Sequence, residues 1–199
     1  MKGLKEAIDE VEKELNEKDA VREIALKASR DILRRSKEAI GMMHRGNDPI
    51  EVLRKIREDH MALISTLREH PELRHAGYVS DASQEFTEAM VLYTIFHDEE
   101  IPTSRELKVD AGSYAMGVAD VIGELRRSAL DSLKNGDIKT AELRLSQMEE
   151  IYEQIMRLDY PSAIVQIRQK QDMARALIEK TRGELAISKR LMEVEKKLG

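Results

Sequence analysis

From Leu4 to about Met43 apolar residues recur at helical spacing (Leu4, Ile8, Val11, Leu15, then Ile24, Ala28, Ile32 and Ile40), without proline and with glycine only near the ends. The pattern predicts one very long amphipathic helix, kinked near Asn16 to Asp19. Gly46-Asn47-Asp48-Pro49 stops it and starts the next: Gly suits a C-terminal cap, Asp48 can accept from free N–H groups, and Pro49 fits a first helical turn. The second helix is expected to run to about Glu69. Pro71 opens a short helical stretch with a kink at Gly77, and a further helix is predicted from about Ser80 to His97. Thr103 and Glu106 have capping-box spacing for a brief helix or turn. Asp110 or Ser113 caps a long helix to Asn135. Asn135-Gly136-Asp137 then turns the chain into a helix ending near Leu158, where Asp159-Tyr160-Pro161 breaks it, and a last helix runs from Ser162 nearly to the C-terminus.

No alternating strand pattern, internal repeat, low-complexity segment or composition shift interrupts this reading. The expected fold is all-α, a bundle of about seven helices in one domain over residues 1–199. Several of the helices are long and antiparallel, about 30 Å or more at 1.5 Å per residue.

Composition agrees. Of 199 residues, 41% are hydrophobic and 36% charged, with only 4 Pro and no Trp, a mixture that favours amphipathic helices. The absence of Cys excludes disulfides, thiolate metal sites and cysteine nucleophiles, and fits a cytoplasmic location. No window approaches the roughly twenty apolar residues of a membrane span, and the N-terminus shows no secretion signal, so a soluble protein with no membrane partner is expected. A net charge of −5 argues against a uniformly basic duplex-DNA binder but leaves a local basic patch open.

The candidate chemistry is carboxylate. In SQEFTEAM (83–90), Glu85 and Glu88 stand three apart at the edge of the stripe Phe86, Ala89, Tyr93 and Phe96. On the next long helix Asp120 and Glu124 stand four apart, each pair on one helical face. Helices joined by a short connection are antiparallel neighbours. If the pairs face each other, four carboxylates converge, and a hard divalent cation would offset their charge. Oxygen ligands suit Mg²⁺ or Mn²⁺, which can activate water for in-line attack on a phosphodiester. A solvated helix face is the competing explanation, since Glu14/Glu17 and Glu150/Glu153 have the same spacing. A ferritin-like di-iron site fits less well, because only Glu72-Leu73-Arg74-His75 has the Glu-x-x-His form.

Four stretches carry a resemblance to a known family. SRDILRRSKEAIGMMHRG (29–46), QEFTEA (84–89), YAMGVADVIGELRR (114–127) and the NGDI turn (135–138) resemble, in the same order, signatures of the translin family, nearest to its Trax type; RQKQDMARALIEKTRGEL is a looser match. The resemblance implies an all-helical, Mg²⁺-dependent endoribonuclease that forms a hollow homo-oligomer, an octamer, with acidic residues facing the lumen. By that resemblance Glu85, Glu88, Asp120 and Glu124 are the catalytic and metal-binding residues. The implied partners are RNA, single-stranded or short duplex, and single-stranded DNA; a second, translin-type subunit is compatible with one chain. HAGYVSDAS (75–83) is not basic, unlike the RNA-binding segment of translin-type subunits near this position, so no RNA contact is carried over from it. The short link between the acidic helices and the lack of a basic N-terminal tail resemble a compact archaeal or bacterial-type member.

Among basic residues, Arg30, Arg34, Lys37 and Arg45 can share one face of the first helix and bind phosphates, or form a solvated face or subunit-interface ion pairs. Arg126 and Arg127 follow Glu124, and Arg127 can pair with the carboxylates or bind a substrate phosphate. The five His residues form no ligand pair at helical spacing and read as surface or packing residues. The alternative to an RNA-cutting enzyme is a noncatalytic RNA- or DNA-binding scaffold; a purely structural helical assembly is a third reading.

Overall fold

Side chains at the turns set where each helix begins and ends. The computed structural model describes residues 3–198, which form eight α-helices: α1 (Leu4–His44), α2 (Ile50–Thr66), α3 (Pro71–Arg74), α4 (Gly77–His97), α5 (Ser104–Leu107), α6 (Ala111–Lys134), α7 (Ile138–Ile155) and α8 (Ile167–Leu198). Two of the eight are single turns, and a 3-10 turn at Leu67–Glu69 extends α2. Gly46, at φ +71°, ends α1, and the Asn47 N–H donates back to the Met42 carbonyl at 3.0 Å. Thr103 and Glu106 form a reciprocal capping box on α5. Asp110 caps α6 by accepting from the Ser113 N–H at 3.0 Å, and Asp137 caps α7 through the Thr140 N–H at the same distance.

Several features differ from the expected ones, and α7 ends at Ile155 rather than near Leu158. α1 is a continuous 41-residue helix with no break at Asn16–Asp19: those polar residues face solvent, and Lys18 pairs with Glu14 one turn back at 2.7 Å. α4 starts at Gly77 because Ala76 is extended and begins the helix there. α8 starts at Ile167 rather than Ser162, because the Pro161 carbonyl accepts from the N–H groups of Ile164 and Val165 and closes a separate turn first.

α4 packs against α1, α2 and α6, while α6 also carries α7 and α8. Ile32, Leu53, Ile56, Phe86, Leu92, Ile122, Leu125 and Met148 are fully buried between these helices, each contributing about 1.5–3 kcal/mol by removal from water. At Gly117 a Cβ would lie 2.5 Å from the Gln84 carbonyl oxygen and 2.7 Å from Thr87 Cβ. Glycine therefore permits a close approach of α4 and α6, beside Gln84 and Thr87 and one turn before Asp120. Among the described residues no helix is long and apolar enough to cross a membrane.

Candidate functional site

The approach of α4 to α6 at Gly117 brings Glu85 and Glu88 to the same open cavity as Asp120 and Glu124. The cavity measures about 520 Å³; α1 supplies Lys37, Ile40 and Gly41 to its wall, and Gln84, Arg127 and Lys170 complete the lining. α4 is packed on several sides, so Phe86 and Ala89 turn wholly into the core. Glu85 and Glu88 are left on the side facing α1 and α6.

The four carboxylates occupy different electrostatic environments. Glu88 is 8% exposed; burial, then the charges of Asp120, Glu85 and Glu124, push its pKa up to about 8. It therefore holds a proton at neutral pH. Burial also raises Glu85, against the opposing pull of Lys37, whose Nζ lies 3.5 Å away. Glu124 is lowered, chiefly because His44 donates from Nε2 to its Oε2 at 2.6 Å. Both oxygens of Asp120 are engaged: Gln84 Nε2 donates to Oδ2 and Lys170 Nζ to Oδ1.

Four carboxylates on one cavity are the donor chemistry that Mg²⁺ or Mn²⁺ takes. The donor set fits such an ion. The ligand geometry is not already assembled: among the described residues no three His, Asp or Glu side chains are grouped to hold a metal. Lys37, Lys170 and His44 attend to three of the acids instead.

The basic residues singled out in the sequence divide. Arg127 lines the cavity and stands 3.8 Å from Glu124, while the Arg45 guanidinium lies over Gly41 on its wall. Arg30 and Arg34 are exposed on α1, Arg34 pairing with Asp31 at 3.4 Å. Arg126 turns away from the cavity to α8, where it donates to Thr181 at 2.6 Å and Glu184 at 2.9 Å.

Of the five histidines, His60 is a packing residue as expected, stacked on Phe86 at 4.7 Å and bonded to Ser83 at 3.0 Å. His44 is not: its side chain is 4% exposed and its partner is a cavity acid. Sequence reasoning missed it because no second ligand lies near it in the chain. The available signal was its register with Lys37 and Gly41, seven and three residues earlier on one face of α1. Gln84 and Lys170 were also missed, and nothing local marks Lys170, fifty residues from its partner.

A family model for the translin family matches residues 20–182. An uncharacterized protein of Methanocaldococcus jannaschii is 38% identical over 191 residues, covering 93% of this chain and 85% of its own. Among solved structures, AfC3PO is 34% identical with a TM-score of 0.86, covering 93% of this chain and 98% of its own. AfC3PO in complex with duplex RNA is 33% identical with a TM-score of 0.83, covering 93% and 97%. Apo-NeC3PO, at 22% identity and a TM-score of 0.81 over 91% of this chain and 96% of its own, shares the fold.

Proposed function

Because the chain belongs to the translin family, we propose that its acidic cavity is the divalent-cation site of a Trax-type endoribonuclease that hydrolyses phosphodiesters of single-stranded or short RNA. One observation carries this reading: α4 and α6 present Glu85, Glu88, Asp120 and Glu124 to a single cavity, where burial first and the neighbouring carboxylates second keep Glu88 protonated. These four would hold Mg²⁺ or Mn²⁺. When bound, the cation supplies Lewis acidity to a phosphodiester and charge to its leaving oxygen.

The chain's own groups supply the rest. His44 holds Glu124 oriented and ionised, and Gln84 fixes one oxygen of Asp120. Lys37 and Arg127, both more than half exposed, stand at the cavity where RNA phosphates approach, and such contacts weaken with salt. The solved AfC3PO–duplex RNA complex supports RNA as the partner.

Assembly belongs to the same proposal. Leu4, Ile8, Val11 and Leu15 on α1, and Ile187, Leu191 and Val194 on α8, are 46–64% exposed. They form apolar stripes at helical spacing that another copy would cover, as in a hollow homo-octamer enclosing the cavity.

The test is a labelled single-stranded RNA incubated with the protein with and without Mg²⁺ or Mn²⁺. Cleavage is expected only with the cation, and Glu85→Ala with Glu88→Ala is expected to abolish it; cleavage surviving that double change sinks the mechanism. The second reading, a noncatalytic RNA-binding scaffold, draws on the neutralisation of Asp120 and Glu85 by lysines, and wins if the wild type binds RNA without cutting it.

A further inference from the structure

Asp120 is the acid whose two oxygens are both occupied by protein groups. Lys170 takes Oδ1 and Gln84 takes Oδ2. Lys170 and Asp120 are each 23% exposed, so the pair is partly shielded from water and its attraction is stronger than at an open surface. Lys37 contrasts with it, at 60% exposure and 3.5 Å from Glu85. His44 is enclosed and bound to Glu124, a contact that holds a ligand in place without covering the cavity. Lys170 comes from the first turn of α8, reaches a helix that α8 packs against, and lines the cavity itself. A flexible four-carbon stem allows its ammonium to leave Asp120 without moving the backbone.

We propose that Lys170 is a displaceable counter-ion of Asp120: it balances the cavity's charge when no divalent cation is bound and competes with that cation for the same carboxylate oxygen. This rests on the reading of the cavity as a divalent-cation site. A lysine in that place lowers the affinity for metal and keeps the four acids from repelling one another in the metal-free protein, so it acts on the reaction through Asp120.

Mn²⁺ binding to the protein, followed by electron paramagnetic resonance of the free ion, tests this. Lys170→Met is expected to bind Mn²⁺ about tenfold more tightly, the scale of a 1.4 kcal/mol change. It should also gain more melting temperature from Mn²⁺ than the wild type does. Lys170→Arg, which keeps the charge, should retain wild-type affinity. Labelling of the unaltered protein with an acetylating ester, read peptide by peptide by mass spectrometry, provides a measurement that no variant's folding can confuse. Lys170 should label faster when Mn²⁺ is present, and Lys189, paired with Glu142 far along α8, should not change. If the wild type binds Mn²⁺ but Lys170→Met binds no more tightly, or Lys170 labelling does not rise, the counter-ion role is wrong and the cation site stands. If no form binds Mn²⁺, both fall.

Discussion

Glu88 and His60 are both held neutral by burial, with opposite consequences for stability. Glu88 has a folded pKa of about 8 against an ordinary 4.5. Its contribution is fully present below pH 4.5 and is lost as pH rises through about 8. His60, fully buried, has its pKa lowered from 6.5 to about 4, first by burial and then by Arg74. Its contribution is present above pH 6.5 and is lost as pH falls through about 4. At 1.36 kcal/mol per unit, the alkaline loss from Glu88 is on the order of 5 kcal/mol and the acid loss from His60 about 3 kcal/mol. Glu88→Gln, which mimics the protonated acid, should therefore melt well above the wild type at pH 8 without added metal and near it at pH 4.5. Melting curves across this range check the prediction, and a gap independent of pH would contradict it. Local spacing revealed Glu88 because its partner Glu85 is a neighbour on one helix. It did not reveal His44 or Lys170, whose importance arises from acids 80 and 50 residues away.

At the scale of elements, Gly117 is where α4 and α6 approach tightly, and its contacts are backbone and a β-branched side chain, neither of which yields cheaply. Gly117→Ala should cost about 1–3 kcal/mol, the usual range for overpacking, although alanine is the better helix former. It should also weaken Mn²⁺ binding by separating the acidic pairs. A melting curve and a Mn²⁺ titration of this variant decide it, and full stability with unchanged binding would refute the close-contact account. The helices themselves were legible, because their apolar period and their caps at Thr103, Asp110 and Asp137 are written locally. The start of α8 was not: Pro161 can open a helix or a turn, and only the bonds its carbonyl accepts from Ile164 and Val165 select the turn.

At the scale of the molecule, the first four turns of α1 are exposed on every side, yet Leu4, Ile8, Val11 and Leu15 form an apolar stripe along them. Leu15→Glu should lower the oligomer mass measured by light scattering and leave Mn²⁺ affinity unchanged, since it lies more than twenty residues from Lys37. Unchanged mass would remove this stripe from the interface. The all-α class and the two acidic pairs could be read from one chain, but an occupant for the apolar stripe of α1 could not, because a single sequence records periodicity and not the partner that satisfies it.

α1 is about 60 Å long at 1.5 Å per residue. Its second half is held by α2 and α4, while residues 4–17 are exposed throughout. An unsupported helical segment of this length is marginal in water. Dilution should therefore fray one end of the rod while Lys37, Gly41 and His44 at the other remain folded. On the proposed reading, assembly is then lost on dilution while the cation site stays formed.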